Sequence, residues 1–190
     1  VREEVINYSK SGEEYWLEMD IVPVADAAGH CTHLVAIERD VTERKRAEVA
    51  LRASEATMAA AQRIAHIGSW EMGLVHEEPG ANSLRWSDEM FRIAGFEPGT
   101  VDVTNELFFQ LAHPDDHAAI RQAMTTAIRE RQPYSIVHRL VRPDGQVRIV
   151  QEEAHIFFDE PGGKPLKMVG TAHDITERKS LEQQFLRAQR

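Results

Sequence analysis

A single cysteine, Cys31, is all the thiol chemistry this chain holds. It excludes an internal disulfide and any Cys-rich zinc site. A reducing, cytoplasmic setting fits. Long hydrophobic runs are missing too. None approaches the length that crosses a bilayer, and no signal-peptide pattern is read. Positive charge is scarce, with 22 Lys and Arg against 31 Asp and Glu and a formal net charge of −9. No basic stripe interleaved with aromatics appears, so nucleic acid is not the expected partner. A Gly-rich phosphate loop, a Ser/His/Asp order and a paired-carboxylate motif do not stand out either. No catalytic residue and no metal ligand is assigned, and bond-making is expected elsewhere.

What is present suffices for a packed core: 42% of the residues are hydrophobic, well away from the disordered class. The length, 190 residues, sets a prior of one or two domains. Val1 is not a start methionine, and the first residues read like the middle of a sheet. The expectation is a piece of a longer protein, with any membrane anchor lying outside it.

One hexapeptide occurs twice, as Asp40-Val-Thr-Glu-Arg-Lys45 and Asp174-Ile-Thr-Glu-Arg-Lys179. Each copy closes an apolar, strand-like run and opens a charged, helix-like one. The Asp can cap the helix start, and Glu43 or Glu177 can reach back to the cap's own N–H, an Asp version of the capping box. Asp40, Thr42, Glu43, Asp174, Thr176 and Glu177 are the candidate signal-transmission residues, with Thr42 and Thr176 holding the exit of the last strand.

Residues 1–39 read as three strands with two turns, an antiparallel meander. A lone meander is marginal in water, so a missing half is expected. Residues 40–65 read as a helix. Ala47, Leu51, Ser54, Met58, Ala61 and Ala65 form an Ala-rich heptad seam suited to a weak or adjustable coiled coil and a homodimer. The alternative is an ordinary amphipathic helix on its own domain. Residues 66–173 read as a complete α+β domain. Two strands, 68–75 and 83–86, flank a turn at 76–82. Helices follow, capped at Ser87 and Thr104 and started by Pro114. Three strands close it, 134–141, 147–158 and 167–171. The fold class is thus a five-stranded antiparallel sheet with helices on one face. Residues 174–190 begin an output helix.

The two halves align. Gly12 and Gly145, Trp16 and Ile149, and Asp26 and Asp159 are each 133 residues apart, and Asp40 and Asp174 are 134 apart. Residues 1–39 therefore match the last three strands of the fold seen whole in 66–173, a tandem array.

These residues resemble the PAS family of sensory domains. The Asp-Val/Ile-Thr-Glu-Arg-Lys ending is similar to the PAS C-terminal motif and its exit helix. Gly68-Ser-Trp-Glu, Leu84-Arg-Trp-Ser-Asp-Glu-Met-Phe91, His113-Pro-Asp-Asp116, Arg142-Pro-Asp-Gly145 and Val169-Gly170 resemble successive motifs of the third PAS subfamily. The tail, Leu181 to Arg190, is similar to the helix preceding the phospho-accepting helix of many sensor histidine kinases. Similar tails precede diguanylate cyclase domains.

Cofactor chemistry has two candidate places. His113-Pro-Asp-Asp-His117 offers two imidazoles at i, i+4, a spacing that can ligate metal or haem. The plain reading is a capped helix start. The resemblance makes His117 the haem candidate. Asn7 matches the first of two strand Asn residues that hold flavin in related PAS and LOV domains. Leu17 stands where the second belongs, and Cys31 is misplaced for a photoactive thiol. Trp70, Trp86, Phe91 and Phe108 read either as the lining of an interior site or as plain core.

The resemblance implies a sensory and relay module, with a downstream kinase as partner and a small-molecule ligand as one form of stimulus. The alternatives are a haem- or flavin-based redox or gas sensor, the input of a diguanylate cyclase, or a purely structural dimerisation scaffold.

Overall fold

The computed structural model describes residues 2–74, 84–160 and 163–189. The chain divides into two compact units, one ending at Met58 and the other starting at Ala59. The turn read at 76–82 lies outside the described residues.

The first unit is built on an antiparallel sheet of β1 (Arg2–Tyr8), β2 (Glu14–Ala25) and β3 (Cys31–Asp40), in that order. Val5 faces Leu17, and Leu17 faces Asp40. Gly12 closes the first turn at φ 86°, a left-handed conformation that glycine adopts without a Cβ penalty. Leu17 and Val41 are buried, while Leu34 and Ile37 on β3 are exposed. Helix α1 (Thr42–Ala65) begins in this unit and ends in the second. Its heptad residues are all exposed. No helix among the described residues is long and apolar enough to cross a membrane.

Helix α1 stops at Ala65, inside the second unit. His66 adopts φ 52°, its N–H donating to the Arg63 carbonyl at 3.3 Å, and β4 (Ile67–Gly73) follows. Next come β5 (Leu84–Trp86), α2 (Asp88–Ala94), α3 (Asn105–Leu111), a 3-10 turn at Pro114–Asp116 and α4 (His117–Glu130). The chain closes with β6 (Tyr134–Val141), β7 (Val147–Phe158), β8 (Pro165–Asp174) and α5 (Thr176–Ala188). The strands form one antiparallel sheet in the order β5-β4-β8-β7-β6.

Local chemistry explains the helix starts. The Ser87 hydroxyl accepts from Met90 N, and the Thr104 hydroxyl accepts from Leu107 N. Each satisfies a donor that the helix itself leaves unpaired. Alternation along the strands sends Trp70, Met72, Tyr134, Leu140, Val150, Ala154, Met168 and Ala172 to one face, where they pack with Met90, Ile93, Leu111 and Ala127 of the helices. A fully buried Leu or Met side chain contributes about 1.5–3 kcal/mol. Close approach on this face requires glycine: a Cβ at Gly170 would meet the Glu153 carbonyl at 2.6 Å and Trp70 at 2.8 Å.

Candidate functional site

Two places stand out: a joint that occurs once in each unit, and a cavity inside the second.

The joints are the same hydrogen-bond construction. In the first unit the Thr42 hydroxyl accepts from Trp16 N at 2.9 Å, and the Asp40 carboxylate accepts from Thr42 N at 2.9 Å. Val41 N donates to the Trp16 carbonyl at 2.9 Å. In the second unit the Thr176 hydroxyl accepts from Ile149 N at 2.9 Å, and Asp174 accepts from Thr176 N at 2.9 Å. Ile175 N donates to the Ile149 carbonyl at 2.9 Å. The residue between Asp and Thr, Val41 or Ile175, is buried. Each helix is thereby pinned to a neighbouring strand by two backbone groups and plugged by one apolar side chain. The bonds from the Thr42 hydroxyl and N–H hold the Asp40 carboxyl below the usual carboxylate range.

The expected capping box does not form: each Asp accepts from the Thr N–H two residues on rather than from a donor deeper in the helix. The side chains of Glu43 and Glu177 are exposed and make no hydrogen bond among the described residues. The reason is geometric. The Asp side chain serves the Thr N–H two residues on, so the helix starts at Thr and the Glu falls at its second residue, too early to reach back.

The second joint has further attachments. Asp174 N donates to the His66 carbonyl at 3.0 Å, so the end of α1 and the exit to α5 share a hydrogen bond. Arg148 lies 3.8 Å from the Asp174 carboxylate. Arg142 donates from Nε to the Ile93 carbonyl at 2.9 Å and from Nη2 to the Arg92 carbonyl at 3.0 Å, closing the C-terminus of α2. Burial, then the charge of Arg148, push the Arg142 pKa down.

The cavity lies between the sheet and helices α3 and α4. Its volume is about 120 Å³, and its walls include Trp70, Trp86, Phe108, Tyr134 and Glu152. Glu152 is 3% exposed. Its carboxylate accepts from the Tyr134 hydroxyl at 3.2 Å and faces His138 Nε2 at 3.5 Å. Burial pushes the His138 pKa down, but the Glu152 carboxylate beside it outweighs burial, and the net shift is upward. Burial beside Glu152 raises the Tyr134 hydroxyl.

The four cofactor candidates are scattered. Trp70 lines the cavity. Phe91 is buried beside it, edge-on to Trp86 with ring centres 5.6 Å apart. Asn7 is exposed on β1, and its side-chain oxygen accepts from Tyr8 N. His117 Nε2 lies 3.0 Å from the Ala112 carbonyl, and its ring stands edge-on to Phe109. The rest of that motif is equally engaged. Asp116 takes Arg139 through Nε, Nη2 and the backbone N–H, which holds its carboxyl at about 2. Among the described residues no group of three or more His, Cys, Asp and Glu side chains is placed to hold a metal ion. The sequence reading missed Tyr134, His138 and Glu152. Their parity was the available signal, since Glu152 shares its strand face with Val150 and Ala154.

A PAS fold model matches residues 83–172, and a PAS domain model matches residues 1–43. The chain belongs to the PAS family. The blue-light-activated histidine kinases of Brucella ovis and Brucella abortus are each 30% identical to it over 190 residues, 94% of this chain and 37% of each relative. The chain thus spans little more than a third of the length of these curated relatives. Among solved structures, a sensory box histidine kinase/response regulator from Burkholderia thailandensis matches with a TM-score of 0.56 and 24% identity, covering 70% of this chain and 94% of that one. The N-terminal domain of a diguanylate cyclase with PAS/PAC sensor from Marinobacter aquaeolei matches with a TM-score of 0.50 and 14% identity, covering 60% and 98%. Both likenesses show the fold alone, a PAS sheet with its helices.

Proposed function

We propose that these PAS units are the sensing and relay segment of a cytoplasmic sensor histidine kinase, and that their joints carry the signal. The observation behind this is the repeated joint. Two units end in the same Asp-x-Thr lock, and each lock holds the start of a helix. A stimulus that shifts β7 moves Ile149, and Ile149 is bonded to Thr176 at the base of α5. The His66–Asp174 bond gives the upstream helix a path to the same joint. The packed sheet and helix base act as an element with two arrangements, which a stimulus of a few kcal/mol at most can bias. The exposed seam of α1 and the exposed Leu181 and Phe185 of α5 supply surfaces for pairing in a homodimer. A rotation or register change of paired helices is then the form in which the signal reaches the kinase.

The test is Asp174→Ala in the full-length protein. The fold should persist, basal phosphorylation should continue, and its dependence on stimulus should be lost. Unchanged regulation in that variant contradicts the proposal.

A second reading is favoured by the likeness to the blue-light-activated histidine kinases of Brucella: a flavin-dependent light sensor, with Asn7 as a flavin contact in the first PAS domain. A flavin absorption doublet in the purified full-length protein supports it, and a colourless protein refutes it.

A further inference from the structure

Glu152 in the cavity wall of the second unit, and His138 3.5 Å from it, are polar groups that the architecture does not demand. The repeat shows this directly. At the spacing of 133 residues, His138 corresponds to Val5 and Glu152 to Met19. The pairing agrees, since His138 faces Val150 as Val5 faces Leu17. The same strands in the first unit carry apolar side chains at both positions. Burying a carboxylate and an imidazole costs free energy, so their presence in the second unit calls for another account.

A second observation concerns Trp70. It lines the cavity, it is 8% exposed, and its buried Nε1–H has no hydrogen-bond partner. Buried donors in folded proteins are nearly always paired with protein, water or ligand. The walls also limit shape. Trp70, Trp86, Phe108 and Tyr134 present flat aromatic surfaces. A volume of about 120 Å³ suits one ring, because an apolar cavity of about 150 Å³ takes a benzene-sized molecule. It is smaller than the roughly 300 Å³ and more that drug-sized ligands occupy. The Glu152 carboxylate already faces a basic neighbour, His138 Nε2, at 3.5 Å, so no cationic ligand is needed.

We propose that this cavity binds a single-ring, uncharged heterocycle that donates an N–H to the Glu152 carboxylate and offers a carbonyl to the Trp70 indole. A cyclic amide is the simplest molecule with that adjacent donor and acceptor. The proposal rests on the sensor reading above and names the chemical class of its stimulus. Glu152 sits three residues along β7 from Ile149, about 10 Å at the rise of a strand, so the ligand would press on the strand that holds the joint.

The probe is 2-pyridone, titrated into the chain and followed by calorimetry and by the indole N–H resonances in NMR. The three tryptophans, Trp16, Trp70 and Trp86, are assigned by single replacement with Phe. Saturable binding that shifts the Trp70 signal downfield is expected. Toluene, benzoate and benzylamine should each bind about tenfold more weakly, as should 2-pyridone to Trp70→Phe and to Glu152→Gln. No saturable binding of 2-pyridone overturns the proposal. So does binding that leaves the Trp70 indole signal in place, or equal binding of toluene. The Trp70 signal is read in the unaltered protein, so a variant that fails to fold leaves the test intact. Binding is measured without any output domain, whereas the joint is tested by phosphorylation. Either reading can therefore fail alone.

Discussion

Among the described residues, the first and second PAS units make the same joint behind strands of different burial. In the second, helices α2 to α4 pack on the sheet, and the β7 positions Val150, Glu152 and Ala154 are buried. In the first, Leu17 is the buried member of β2, and the strand ends exposed at Ile21 and Val22. The hydrogen bonds at Asp40–Thr42 and Asp174–Thr176 nevertheless agree in partners and length. The joint is therefore local chemistry, written into three residues and one neighbouring strand. The cavity is a tertiary product and needs the helices. On the proposed function, copying a short motif is enough to repeat the relay along a chain.

The largest expected effect lies in the packed sheet of the second unit. Gly170→Ala should cost about 1–3 kcal/mol in a urea melt, because the new Cβ has no room. Gly12→Ala and Gly145→Ala meet open space at φ of 86° and 81°, so each should lose about 1 kcal/mol from backbone strain alone. Equal costs at Gly145 and Gly170 would break the claim that the second unit is constrained by packing.

Next come the locks. Asp40→Ala and Asp174→Ala should each cost about 0.5–2 kcal/mol, the range for losing a helix cap, and the two losses should be similar in thermal melts. Markedly different losses would mean that the cover contributes to the joint.

The pH profile sharpens the contrast between the units. His138 has a raised pKa when folded, so its contribution is fully present below the unfolded value of about 6.5 and fades as pH rises through the folded value. Melting temperature should fall across that window, and Glu152→Gln should remove this component. Asp116 runs the other way. Its carboxyl is held at about 2 by Arg139, so its contribution is present above the unfolded value near about 3.9 and is lost as acid approaches the folded one. Asp116→Asn should flatten the acid limb.

The smallest effect on folding concerns α1. Leu51→Glu and Met58→Glu change exposed positions and should alter the melt by about 0.5 kcal/mol or less. In sedimentation, however, they should abolish the self-association proposed for the seam.

Much of this was legible in the residues. The hexapeptide announced a strand-to-helix joint, and Ser87 and Thr104 announced their helices, because capping chemistry depends on a few neighbours. Pro114 announced a helix start, but it opens a 3-10 turn and α4 begins at His117. Alternation placed the strands, although β8 runs from Pro165 to Asp174, wider than the apolar stretch that signalled it. Ladder bonds with β4 and β7 carry it beyond that stretch. The capping box read at Glu43 and Glu177 misled, since helix start and side-chain reach are decided together. The polar cluster of Tyr134, His138 and Glu152 was also missed. A Glu inside an alternating strand reads as a solvent-facing residue until the neighbouring strands fix which parity is inside.

The central claim is that a threonine hydroxyl on each helix base holds one strand amide. Amide hydrogen exchange in Thr42→Val and Thr176→Val tests it at single residues. Each variant should speed exchange at its own partner, Trp16 or Ile149, and loosen the first turn of its own helix while leaving the other joint as it was. Unchanged exchange at Ile149 in Thr176→Val would contradict the account.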